Sequence, residues 1–286
     1  MTAQPTASRA ALAPARAEPP ARFRDLIAAE WIKIRSQRST YWTLAATALV
    51  VIAAAVNAAH SDYSNFPAYS PSAQRIHAFS LSDAFPLPGY LVLMVVAAGT
   101  GAMAIVSEYS SGLIRITTVA VPARGPVVLA KAVVVTALWT VAGAIISSAS
   151  FAISQAILNG RHAGDSITSP GAFPALLAAT LLGPVCALIG LGLGAAIRHS
   201  VTTIVTEVVL LVALPQFFPP RHGTTLLAAI NHLTVLAAWQ RLTWAYGPPD
   251  AIGPGYATFT GSWVVYAVWP AAAITLALIM VRHRDV

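Results

Sequence analysis

FPALLAATLLGPVCALIGLGLGAAI, Phe173 to Ile197, runs for 25 residues without a charge. A helix needs about 20 predominantly apolar residues to cross a hydrocarbon core about 30 Å thick. Five further runs meet that length: Trp42 to Ala59, Pro88 to Val106, Val127 to Leu158, Val201 to Phe218 and Trp263 to Val281. In hydrocarbon every backbone amide must be satisfied within its own segment, so these runs read as helices. Across 286 residues, 57% are hydrophobic and 9% charged, against about 25% charged in a soluble domain. Mean hydropathy is +0.69. The bilayer is the main solvent, and the predicted fold is all-α, a polytopic membrane protein of six transmembrane helices.

Between the fifth and sixth runs, Thr224 to Tyr246 is apolar but interrupted by Asn231, His232, Gln240 and Arg241 and bracketed by prolines. A full crossing would place Arg241 near hydrocarbon at a cost of several kcal/mol. The stretch therefore reads as a re-entrant helical hairpin at the outer face rather than a seventh span. Charge supports this. With six spans and the N-terminus inside, thirteen of the 17 basic residues fall on the inner side, leaving Arg75, Arg161, Arg221 and Arg241 outside. Cytoplasmic loops are where such an excess belongs. Both termini are thus expected in the cytoplasm and the chain in the plasma membrane. Residues 1–22 are Ala- and Pro-rich without apolar periodicity and read as a disordered cytoplasmic tail, leaving 23–286 as one membrane domain. The lone Cys186 excludes an internal disulfide. The predominance of Arg over Lys, with heavy Ala, Gly and Pro use, suggests a GC-rich bacterial genome.

Two segments flank the early spans. Residues 23–39 place Phe23, Leu26, Ile27, Trp31 and Ile34 on one arc at helical spacing, with Glu30 and Arg38 intruding on it. This reads as a basic helix lying in the membrane interface; the plain alternative is a positive-inside flank. The second segment, SEYSSGLIRITTVAVPARGP from Ser107 to Pro126, joins spans two and three. It is longer than a minimal connection, and its mixed amphipathic and basic character suits docking on another protein.

Enzymatic motifs are missing. Neither Lys33 nor Lys131 follows a glycine, so no Walker-type phosphate cradle can form. Gly190 and Gly194 make a small-xxx-small pair suited to helix packing within span four. The seven histidines form no i, i+4 pair. No metal, no catalytic residue and no nucleic-acid partner are expected. Within the spans, Glu207 is the clearest ionisable group. It reads either as a proton- or cation-contacting carboxylate facing a dimer centre, or as an acid bonded to Thr203 or Thr206 or paired with a basic group.

AAEWIKIRSQRSTYWTL (Ala28 to Leu44) and SEYSSGLIRITTVAVPARGPVVLAK (Ser107 to Lys131), with six spans and an outer hairpin, resemble the permease subunit of a bacterial ABC transporter of the ABC-2 exporter type. The resemblance covers about residues 23–286. It implies that Glu30, Trp31, Lys33, Arg35, Glu108, Tyr109, Gly112, Arg115 and Arg124 contact a separate ATPase subunit. ATP and Mg would be bound there, with no cofactor on this chain. It implies a second permease copy, in a homodimer or heterodimer, and an exported substrate whose identity the sequence leaves open. Glu207, Asn231, His232 and Trp239 would then line or gate the pathway. The rival classes are a stand-alone secondary transporter, which needs paired intramembrane acids or inverted repeats, and a non-transporting membrane sensor or immunity-type protein of the same topology. The outer loop Ser61 to Pro86 has no place in the family pattern.

Overall fold

The computed structural model describes residues 22–76, 79–110, 124–217, 226–243 and 257–283. The tail, the centre of the loop after span two (with Gly112 and Arg115) and the segments on either side of the outer hairpin lie outside the described residues.

Every regular element among the described residues is helical: α1 Phe23–Ser36, α2 Arg38–Asn65, α3 Pro71–Ile76, α4 Ser80–Ala84, α5 Leu87–Ser110, α6 Arg124–Asn159, α7 Ala172–Ile197, α8 Ser200–Val208, α9 Leu214–Phe217, α10 Leu226–His232, α11 Val235–Thr243 and α12 Phe259–His283. Six helical stretches are long and apolar enough to cross a membrane: Arg38–Ala68, Leu87–Tyr109, Gly125–Asn159, Ala172–Ile197, Ser200–Phe217 and Phe259–Arg282.

Helix α7, the run that opened the sequence reading, is the axle of the bundle and packs on α5, α6, α8, α11 and α12. Its alanines and glycines explain why. At Gly190 a Cβ would run into the Ala98 carbonyl of α5, and at Gly101 of α5 a Cβ would run into the Ala187 carbonyl. The two helices touch backbone to backbone, which is how membrane helices gain contact without a hydrophobic driving force. Gly194 continues the seam against Ala102 and Ile105. Polar side chains add pins: Trp139 Nε1 donates to Thr100 Oγ1 at 2.6 Å, and Ser147 and Thr180 share a 2.7 Å bond.

Several boundaries differ from the sequence reading. The interfacial helix stops at Ser36, because Gln37 is extended (φ −85°, ψ 108°) and α2 starts afresh at Arg38. Helix α2 runs past Ala59 to Asn65. The unassigned outer loop folds into a 3-10 turn (Phe66–Ala68), α3 and α4, with α4 buried against α2 and α6. Span five is not one uninterrupted helix. A π turn, Val209–Ala213, separates α8 from α9. Pro215 has no N–H to offer the preceding turn, and the ladder adjusts, with Leu214 N–H reaching back to Val209 O. The stretch between spans five and six forms two short helices, α10 and α11, joined at Leu233 and Thr234. Each is too short to cross a bilayer.

Candidate functional site

At the end of the bundle that carries α1, four charged side chains meet. Glu30 and Lys33 sit one turn apart on α1. Glu108 ends α5, and Lys131 lies two turns into α6. Lys33 Nζ is 2.7 Å from Glu30 Oε1 and 2.8 Å from Glu108 Oε1, while Lys131 Nζ is 2.8 Å from Glu30 Oε2 and 2.6 Å from Glu108 Oε1. Two ammonium groups and two carboxylates alternate in a neutral ring. Lys131 is 2% exposed, whereas the Lys33 side chain is 47% exposed.

Burial pulls the Lys33 ammonium toward its neutral form, but bonds to Glu108 and Glu30 outweigh that pull and leave its pKa raised. Buried charges are tolerated only when paired and hydrogen-bonded. Here each member has two partners of opposite sign. The physical result is a clamp: α1 is tied to α5 and α6 by the residues that flank the connecting segment 111–123.

Among the residues the sequence pointed to, Glu30, Lys33 and Glu108 come together in this ring. Glu30 was an intruder on the apolar arc of α1; it is instead the one buried residue of that helix. Trp31 and Arg35 lie on the exposed face of α1. Tyr109 belongs to a second node, where the Arg198 guanidinium lies over its ring, 4.6 Å from the centroid. Arg198 caps α7 in the left-handed region (φ 61°) and donates to Met280 O at 3.4 Å. Arg124 opens α6. Lys131 and Arg198 were not selected from sequence. The available signal for Lys131 was a lysine inside an otherwise apolar span, which must have an acid to meet.

The residues expected along a pathway sit differently. Trp239 is fully buried, its ring stacked on Tyr90 with centroids 5.1 Å apart. Asn231 Nδ2 donates to Pro215 O at 3.1 Å and fastens the hairpin to span five. His232 is half-buried in the same hairpin, with Nε2 unpartnered. Glu207 lies on α8. It is 0% exposed, inside the bundle, with both carboxylate oxygens lacking a hydrogen-bond partner. Thr203 and Thr206 give their hydroxyls to the His199 and Thr202 carbonyls instead, so the expected threonine bond is not made.

Compared with known proteins, residues 26–214 match the family model described as ABC-2 family transporter protein. That range runs from within α1 to the start of α9 and includes the whole ion ring. No curated protein matches the chain. A match over most of the chain, on a six-span helical bundle, places the protein: it belongs to the ABC-2 transporter family and is a permease component of an ABC transporter.

Proposed function

We propose that this chain forms half of the translocation pathway of an ATP-driven exporter. The α1 end faces the cytoplasm, where a separate ATPase subunit docks and supplies ATP and Mg. A second permease copy completes the conduit. The single observation that carries this reading is the ring of Glu30, Lys33, Glu108 and Lys131. A force applied to α1 or to the segment 111–123 reaches α5 and α6 together, because the clamp leaves no slack between them. Movement of packed elements as rigid bodies is a common route for transmitting such a change. The exposed Trp31 and Arg35 on α1 then serve the docking surface, with Gly112, Arg115 and Arg124 supplying the rest from the loop.

Co-expression with its cognate ATPase tests the reading. The two chains are expected to co-purify in mild detergent, and hydrolysis is expected only in the complex, stimulated by the exported substrate. ATP hydrolysis by this chain alone, or the absence of any associated ATPase, overturns it.

A further inference from the structure

A cavity of about 700 Å³ opens between α1, α2, α5 and α6, directly beside the ion ring. Its size falls in the range of small-molecule sites, about 300–1,000 Å³. Its two ends differ chemically. At the polar end, Lys33 spends two of its three N–H donors on Glu30 and Glu108, and its half-exposed side chain leaves the third for a ligand. Both lysines bond Glu108 through Oε1, so Glu108 Oε2 accepts from neither. The ring therefore offers one spare cationic donor beside one spare anionic acceptor.

Away from the ring the walls turn apolar, with Val96 and Met103 from α5 and Val134 and Leu138 from α6. Gly99 also lines this space, and a Cβ built on it would meet nothing within 4 Å. The mouth is framed by Gln37, Ser39 and Thr40 at the break between α1 and α2. The neighbouring Tyr41 and Trp42 are 55% and 77% exposed, and such aromatics mark headgroup depth in membrane proteins.

We propose that this cavity binds one phospholipid whose headgroup carries both a phosphate and a primary ammonium, drawn laterally from the leaflet on the α1 side. The phosphate takes the free Lys33 donor, the ammonium takes Glu108 Oε2, and an acyl chain lies along Val96, Met103 and Leu138. An anionic lipid meets Lys33 equally well but leaves Glu108 unanswered, so a zwitterionic head is preferred. The assignment does not depend on ATP coupling and is tested on the permease alone.

The test reconstitutes the purified full chain in vesicles containing a phosphatidylethanolamine with a photoactivatable acyl chain and maps the crosslinks by mass spectrometry. Labelling is expected at Val96, Met103, Val134 or Leu138, competed by unlabelled phosphatidylethanolamine and poorly by phosphatidylglycerol or soluble phosphoethanolamine. Gly99→Leu, which fills the cavity, is expected to cut that labelling about tenfold, with labelling of the exposed Val201 and Val205 on α8 unchanged as the fold control. Lys33→Gln is expected to reduce labelling without blocking the space. Labelling confined to exposed faces overturns the proposal. So does cavity labelling that survives Gly99→Leu, or equal competition by phosphatidylglycerol.

Discussion

Lys131 Nζ and Glu108 Oε1 stand 2.6 Å apart, the shortest of the four contacts in the ring, though 23 residues and a whole connecting segment separate them. Removing one partner of a buried ion pair leaves an uncompensated charge and costs about 3–5 kcal/mol. Lys131→Met is therefore expected to lower the unfolding midpoint sharply in detergent. The double variant Lys131→Met/Glu108→Gln is expected to lose less than the two single losses combined, with a coupling of about 0.5–3 kcal/mol. Strict additivity in a double-mutant cycle would show that the ring carries no mutual stabilisation.

The seam between α5 and α7 gives a sharper steric test. Gly190→Leu drives a side chain into the Ala98 backbone, which cannot rotate away, and the bundle is expected to fail to assemble as a monodisperse species. Gly99→Ala places its methyl in open space and is expected to gain up to about 1 kcal/mol from helix propensity. Equal behaviour of the two variants in size-exclusion chromatography would contradict the packing.

Acid–base linkage at α4 has a defined sign. Asp83 on α4 is pushed up to about 8, first by burial and then by the Asp62 carboxylate beside it. Between the ordinary aspartate range and that value the folded chain holds a proton the unfolded chain has released. Stability is thus expected to fall as pH rises from about 4 to 8, and to level off beyond. Asp83→Asn is expected to flatten this slope in thermal unfolding measured across pH.

Glu207 is buried without a partner, a costly state for an ionised acid. Glu207→Gln keeps the shape and removes the charge. The unfolding midpoint is expected to hold or rise, and a drop of several degrees would reveal a partner for the carboxylate. Full transport by the same variant would exclude an ion-carrying role for it.

Docking at the basic loop is tested by charge reversal. Arg115→Glu with Arg124→Glu is expected to abolish substrate-stimulated hydrolysis in the complex while leaving the permease folded. Intact stimulated hydrolysis in that variant would show that the ATPase does not dock through these two arginines.

The sequence by itself determined the solvent, the number of crossings and the class of each segment. Length and apolarity alone decide whether a helix can span, and Arg241 with the bracketing prolines was enough to refuse α10 and α11 a crossing. The resemblance of two of its segments to ABC-2 permeases also marked Glu30, Lys33 and Glu108. It did not show that Lys131 joins them. A run of Val and Ala around that lysine gives no hint of which helix lies opposite, and helices α1, α5 and α6 meet only through packing. The partner of Trp239 is hidden for the same reason: its residue type says nothing of Tyr90, which waits to stack on it. Hydrophobicity is additive along a chain and can be read there. Which polar atoms end up sharing a buried volume is a property of distances between segments, and only the assembled bundle fixes those.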